Sequence, residues 1–424
     1  MSTADTSDVV IAGTGPVGLA AAVGLAQLGV PVTLIGPDVE ASSRDLDPRT
    51  FALFEPAIHF LTEIGVWPGV QSQSAPLRAI RLVDDTRRLF KAPEVLFAAA
   101  EVGLAAFGHN IPHAVLIAAL GHRLDDLGER IRRHDRTLAD LRQERDHVVV
   151  NLDDGRSLTA GIVIGADGRR SICRRLAGMA TRQWSYPQTA LVVTVAHSRP
   201  HHDISTELHR RAGPLATVPL PGGASSIVWL EEPAAAKRLA SLDDAEFCRE
   251  LHAHLQGLLG TLGPIGPRVL FPLEGLIAEP AGTRRVALAG EALHAFPPIG
   301  AQGLNLGFRD VANLIDCVAE ARSAGHDIGS DATLDRYAAD RRRDVGSRTL
   351  AVDTLDRTLF SSLLPLQLAR GAGLHLLKAL PALRRQAIRA GMGQSASLPT
   401  MMRPREGRDQ VAMADPSHER SPRR

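Results

Sequence analysis

Cysteine is scarce in this chain, with Cys173, Cys248 and Cys317 the only three in 424 residues. An odd number, widely separated and without a C-x-x-C pair, argues against a disulfide framework or a zinc cage and for a reducing compartment. Lysine is almost missing, since Lys91, Lys237 and Lys378 are the only three of 48 basic residues. Nor is either sign of charge in excess: 48 basic against 47 acidic residues leave a net charge of +1. A nucleic-acid binder needs a basic surplus to hold phosphates, so that class is set aside. With 44% hydrophobic residues and so little net charge, disorder throughout is excluded as well. The uncharged stretch 102–122 contains His109, Asn110, Pro112 and His113 and is too polar for an ordinary membrane span. The first residues lack the basic n-region of a secretory leader.

What is present is layered. The length suggests two or three domains. Residues 8–12 (DVVIA) form a β-branched run ending at Gly13, residues 17–28 are rich in Ala and Leu over a helical length, and 30–35 (VPVTLI) is a second strand-like run. This is a βαβ unit, and its helix, apolar all round, belongs inside a doubly wound α/β layer. The runs 147–152 (HVVVNL) and 161–166 (GIVIGA) predict strands around the turn at 153–155, and 285–290 (RVALAG) reads as a buried parallel strand. Between about 186 and 230, apolar runs broken by Pro and Gly predict antiparallel sheet. Phe308, Val311, Ala312, Ile315, Val318 and Ala319 keep helical spacing, and helical patterning resumes over about 334–390. After Gly393 the chain turns polar and rich in Pro and Arg, the composition of a disordered tail.

The turn GTGPVG (13–18) fits G-x-G-x-x-G in its proper setting, after a strand and before a helix. Gly13 permits the tight turn, Gly15 lets the backbone approach a pyrophosphate, and Gly18 lets the helix pack on the sheet. Pro16 opens the helix, whose N-terminus faces the anion. The carboxylate that usually receives the ribose hydroxyls is missing, because Gly36-Pro37 stands at the end of the second strand. Asp38 is the candidate substitute, the alternative being a solvated loop acid. Two later motifs separate a flavoprotein from a nicotinamide dehydrogenase. One is IGADGRRSICRR (164–175), a strand ending in Asp167-Gly168. The other is VALAGEALHAFPPIGAQGLNLGFRD (286–310), a strand, a loop rich in Pro and Gly, and a helix. Gly300 and Gly303 allow close approach to a flat ring, and Pro297-Pro298 stiffens the loop. The next helix aims its N-terminus where a reduced flavin carries negative charge.

In this order and spacing the three motifs resemble the FAD-dependent aromatic hydroxylases related to p-hydroxybenzoate hydroxylase. The segments 47–67 (DPRTFALFEPAIHFLTEIGVW), 297–310 and 336–361 are similar to the ubiquinone-biosynthesis branch, the 2-polyprenyl-6-methoxyphenol hydroxylases above all. The likeness covers about 8–393. It implies an α/β protein with a Rossmann-like FAD-binding domain in segments 1–78, 104–178 and 283–333. An antiparallel-sheet substrate domain is inserted from 79–103 and 179–282, followed by a helical region, 334–393, and a disordered tail, 394–424. Carried onto this sequence, the family pattern puts the FAD pyrophosphate at Gly13, Gly15, Pro16 and Gly18. Arg49 would reach the phosphates or the flavin region, or simply pair with Asp45 or Asp47. Asp167 would lie near the pyrophosphate and help the nicotinamide dock, or only form its turn. Glu291 replaces the family's Asp at the ribitol hydroxyls, and Pro298, Gly300, Gln302, Gly303, Leu304 and Asn305 would line the ring.

The resemblance further implies a monooxygenase in which NADH or NADPH reduces FAD, and O2 then forms a flavin hydroperoxide that oxygenates a prenylated phenol. Neither a metal nor a covalent protein nucleophile is required, and no residue is assigned as the phenol's base. His294 is read as a core histidine, and a metal site among His197, His201, His202 and His209 is disfavoured for want of Cys or an i, i+4 pair. The stretch 359–385 mixes Leu with Arg and Lys. It suits peripheral contact of a cytoplasmic protein with the inner membrane, a contact within a ubiquinone-biosynthesis complex, or packing on its own domain. Rival readings are a hydroxylase of a soluble aromatic, an isoprenoid-reducing flavoenzyme, a non-catalytic flavin-binding scaffold subunit and a plain dehydrogenase.

Overall fold

The computed structural model describes residues 5–38, 47–86, 92–297, 300–360, 364–392 and 398–404, with the backbone alone over 347–360 and 364–371. β1 (Asp5–Ala12) runs parallel to β2 (Val32–Ile35) and to β11 (Ser157–Gly165), which is parallel in turn to β19 (Val286–Leu288). β8 (Ile131–His134), β9 (Leu138–Gln143), β10 (Val148–Leu152) and β18 (Gly282–Thr283) complete this eight-stranded sheet. Val9, Val10, Ile11, Val163 and Ile164 are wholly buried, as parallel strands covered on both faces must be. α1 (Pro16–Gln27) has every residue from Gly18 to Ala26 buried. It packs against α3 (His113–Leu127) and α7 (Gln302–Ser323). Residues 9–37 are the longest run without Asp, Glu, Lys or Arg, and its strands and the body of α1 lie in the interior of this layer. Among the described residues no helix is long and apolar enough to cross a membrane.

A nine-stranded sheet stands beside it. Its order is β20 (His294–Ala295), β17 (Val269–Glu279), β12 (Ala180–His197), β15 (Ala224–Glu231), β14 (Leu215–Leu220), β13 (Ile204–His209), β5 (Ala79–Asp84) and β6 (Val95–Ala98), with β16 (Leu262–Ile265) also on β12. α5 (Pro233–Ser241) and α6 (Asp244–Leu255) cover one face, where Leu191, Val193, Ile227, Trp229, Phe247 and Leu251 form a core. The sheet is not purely antiparallel, because β5 and β13 pair in parallel. Both strands start at one junction, where the Arg78 N–H and guanidinium bond to Asp203. No local pattern announces the mutual direction of strands so far apart in sequence. A small sheet of β3 (Thr50–Phe54), β7 (Gly108–Pro112) and β4 (Ala75–Pro76) joins the two layers.

α2 (Glu55–Glu63) follows β3, and the short α4 (Ile172–Leu176) follows β11. The chain closes with α8 (Asp331–Phe360), α9 (Leu364–Ala379) and α10 (Pro381–Gly391). The tail expected from residue 394 needs one correction. Residues 398–404 pack on the molecule, with Met402 1% exposed and the Thr400 N–H bonded to the Asp316 carboxylate at 2.8 Å. Leu398, Met401 and Met402 join the main core. Three apolar side chains outweigh the polar composition around them.

Candidate cofactor and substrate site

The cradle begins where β1 ends. Gly13 has φ +116°, and a Cβ there would lie 2.2 Å from the carbonyl oxygen of Ala166. A Cβ on Gly18 would lie 2.0 Å from the carbonyl oxygen of Gly13. These two glycines are thus demanded by the turn itself, whatever it holds. Gly15 is different: a Cβ there would meet nothing within 4 Å. Gly15 is the N-cap of α1, Pro16 follows it, and no side chain caps the helix. An uncapped helix start above open space suits a pyrophosphate.

The missing acid at the end of β2 has a local cause. Gly36 has φ +155°, and a Cβ there would stand 2.8 Å from Thr14 Cγ2, whose hydroxyl donates to the Pro37 carbonyl at 2.8 Å. Thr14 leans on the position, so only glycine fits, and Asp38 lies exposed two residues further on. Asp167 follows Ala166 and so lies beside the Gly13 turn. Its carboxylate accepts from Ser171 Oγ at 2.5 Å and from the N–H groups of Ile172 at 2.7 Å and Cys173 at 3.0 Å. It caps α4, a part the sequence alone did not assign to it. Glu291, in the turn after β19, is exposed and stands 3.4 Å from Arg169 Nη2, while Arg169 Nη1 lies 3.5 Å from Glu274.

The segment from Gly290 to Pro297 crosses between the sheets, since β20 leaves the parallel layer and pairs with β17. Gly300 (φ +67°), before α7, and Gly303, in its first turn, both have open space where a Cβ would stand. Ala301, the N-cap of α7, is left-handed at φ +53°, and Gln302 Nε2 donates to the Gly300 carbonyl at 3.0 Å. Leu304 packs on the main core. Asn305 is a clip: it accepts the Phe54 N–H at 2.8 Å and donates to the carbonyls of Ala52 at 2.8 Å and Ala301 at 2.7 Å. Pro298 lies outside the described residues.

Arg49 stands just before β3. Its Nε lies 2.9 and 2.8 Å from the two carboxylate oxygens of Asp47, and its guanidinium sits 5.6 Å from the ring centre of Phe271 on β17. Burial pushes the Asp47 carboxyl up, but its hydrogen bonds from Arg49 outweigh this and hold it below the usual carboxylate range. His113 Nδ1 is 3.5 Å from the same carboxylate, and burial lowers that imidazole's pKa against the opposing pull of Asp47. The other partner considered for Arg49, Asp45, lies outside the described residues.

One centre escaped the sequence reading. Asp310, on α7, is fully buried and accepts the Gly290 N–H at 2.9 Å, with His294 Nε2 at 2.7 Å and Arg341 Nη1 at 3.0 Å. Arg341 and Arg309 share Asp344. Burial would raise the Asp310 carboxyl, yet His294 and Arg341 keep it below its ordinary value. His294 is the core histidine expected, stacked on Phe296 with ring centres 5.4 Å apart. The signal lay in the sequence as the Arg-Asp pair closing NLGFRD and the Arg- and Asp-rich block after Arg336, but nothing local shows that they meet.

Two of the histidines weighed as metal ligands, His197 and His201, are held by the protein. His197 lies 2.9 Å from the Arg199 carbonyl and 3.0 Å from Ser225 Oγ, while His201 lies 3.0 Å from the Leu220 carbonyl and accepts the Asp203 N–H at 3.0 Å. They line a cleft of about 420 Å³ at the end of β12 opposite β20. Among the described residues no group of three His, Cys, Asp or Glu could hold a metal ion.

The open turn at Gly15, the Asp167 turn beside it and the clipped loop before Asn305 define a dinucleotide-binding flavoprotein fold with a second sheet laid against it. The family model described as FAD binding domain matches residues 6–351. The chain belongs to that family, and FAD is its cofactor. It is 36% identical over 389 residues to ubiquinone hydroxylase UbiL of Rhodospirillum rubrum, covering 91% of this chain and 90% of that one. It is 31% identical over 393 residues to 3-demethoxyubiquinol 3-hydroxylase of Escherichia coli, covering 91% and 98%. Among solved structures, p-nitrophenol 4-monooxygenase PnpA of Pseudomonas putida superposes with a TM-score of 0.75 over 92% of this chain and 98% of that one, at 20% identity, a likeness of fold.

Proposed function

We propose that this protein is an FAD-dependent monooxygenase that hydroxylates the aromatic ring of a polyprenylated phenol in ubiquinone biosynthesis, using NADH or NADPH and O2. The whole-length likeness to two ubiquinone hydroxylases carries the reading. Bound FAD supplies hydride acceptance and dioxygen activation. The chain's own work is placement. Gly15 and the start of α1 take the pyrophosphate, Glu291 the ribitol, and the Gly300–Asn305 segment the ring. On this reading segments 1–78, 104–178 and 283–333 hold the cofactor, and 79–103 with 179–282 hold the substrate.

Near Arg49, Phe271 packs with Tyr186, Ala190, Val228, Leu230 and Leu273 in an apolar cluster of the second sheet. Arg49 is the cation over it, and Asp47 already neutralises that charge. A benzoate would want a free cation there; a neutral prenylated phenol does not. Substituting Arg49→Ala should raise the FAD dissociation constant or the KM for NAD(P)H about tenfold, and Lys should restore little of it, because the bidentate grip on Asp47 is lost. Flavin titration and steady-state kinetics measure this.

The reading itself is tested by incubating holoprotein with NAD(P)H, O2 and a short-chain prenylated phenol in detergent. A product one oxygen heavier, with substrate-stimulated NAD(P)H oxidation, is expected. Stimulation by 4-hydroxybenzoate alone would transfer the assignment to a soluble aromatic. Bound FAD that neither nucleotide reduces would leave a scaffold. In cells, loss of the gene should accumulate a prenylated phenol short of one oxygen.

A further inference from the structure

Leu376, Leu380 and Leu383, around the bend between α9 and α10, are 51%, 48% and 39% exposed, and Leu96 on β6, against which α9 packs, is 43% exposed. They are four of the five large hydrophobic side chains exposed among the described residues. Single exposed leucines need no explanation, but such a concentration marks an interaction surface.

The hairpin that carries them is anchored. Ile388 and Met392 pack with Phe54, Phe97 and Phe107, and Arg384 Nε holds the Glu101 carboxylate at 2.6 Å. The apolar cluster beneath the leucines thus reaches Phe54, whose N–H is bonded to Asn305 at the candidate flavin loop.

Charge along the C-terminal segment is one-sided, and the carboxylates beside it, Glu94 and Glu101, are paired with Arg81 and Arg384. Residues 357–405 contain Arg357, Arg370, Lys378, Arg384, Arg385, Arg389, Arg403 and Arg405 and no Asp or Glu, in a chain whose net charge is +1. Lys378, Arg385 and Arg389 are exposed beside the leucines. Leucines that sink below the headgroups and cations that meet phosphates are together the two requirements of a helix lying on an anionic bilayer. We propose that the α9–α10 bend, with Leu96, is the surface by which this protein docks on anionic phospholipid, beside the apolar cluster leading to its site. This rests on the reading of the substrate as a membrane lipid.

The test is flotation of full-length holoprotein with vesicles of phosphatidylglycerol and phosphatidylethanolamine, and separately of phosphatidylcholine. Wild type should float with the anionic vesicles and be released by salt. The double variant Leu376→Asp/Leu380→Asp should partition at least tenfold less, while keeping its FAD and its turnover of a short-chain phenol in detergent. Three results overturn the proposal: wild type that stays down, equal flotation on both lipids, or a variant that floats like wild type. Wild type that stays down while the variant loses a dimer in light scattering assigns the face to a second copy. Flotation requires no turnover and the detergent assay no vesicle, so failure of the docking and failure of the hydroxylase reading are told apart.

Discussion

Gly15→Ala should leave the FAD-free protein as stable as wild type and weaken FAD binding at least about tenfold, whereas Gly13→Ala should unfold the cradle itself. The two glycines stand in one six-residue motif, but a Cβ meets nothing within 4 Å at Gly15 and meets a carbonyl oxygen at 2.2 Å at Gly13. Gly15 has φ −75°, which any residue adopts, while Gly13 has φ +116°. The expected cost at Gly13 is about 3–5 kcal/mol of folding stability, from steric overlap and backbone strain together. At Gly15 the folded chain pays almost nothing, and the added methyl stands only where the pyrophosphate would approach. Urea unfolding of the FAD-free protein, beside titration of FAD by fluorescence quenching, separates the two. Unchanged FAD affinity in Gly15→Ala would remove the pyrophosphate from this turn.

The second large effect is expected at Asp310. Alanine there leaves Arg341 as a buried cation without that carboxylate, and strips the Gly290 N–H and His294 Nε2 of their acceptor. Breaking a buried pair from one side costs about 3–5 kcal/mol, and Asp310→Asn, which keeps an acceptor, should cost less. The pH dependence follows from the lowered carboxyl. A carboxylate with its pKa held below 3.8 in the folded state adds stability in full above that value and loses it as the pH falls through the folded one. The stability gap between wild type and Asp310→Asn should therefore be constant from pH 8 to 5 and narrow only below about 4. Urea midpoints across that range measure it. Because Asp310 ties Gly290 and His294 to α7, the alanine variant should also bind FAD more weakly, and the FAD-free unfolding curve shows how much of that loss is folding.

Much of this was legible from the chain. The βαβ opening, the buried helix and the parallel strand at 286–288 follow from apolar periodicity and glycine spacing, which act over a few residues. The mixed direction of the second sheet did not follow, nor did the packing of 398–404. Strand pairing and the filling of gaps depend on segments that meet only after the chain has folded.

The site divides in the same way. Gly13 and Gly18 were legible in the spacing alone, because a turn that admits no Cβ can be met by only one residue, whereas the room for a Cβ at Gly15 is seen only in the folded turn. Asp167 and Arg49 find their partners within six residues of chain, but those of Asn305 and Asp310 were decided by tertiary structure. Asn305 clips α7 to β3, and Asp310 gathers Gly290 and His294 from one part of the chain and Arg341 from another. A carboxylate's partner is whatever cation or N–H the fold brings within about 3 Å, and no spacing along the chain encodes that distance.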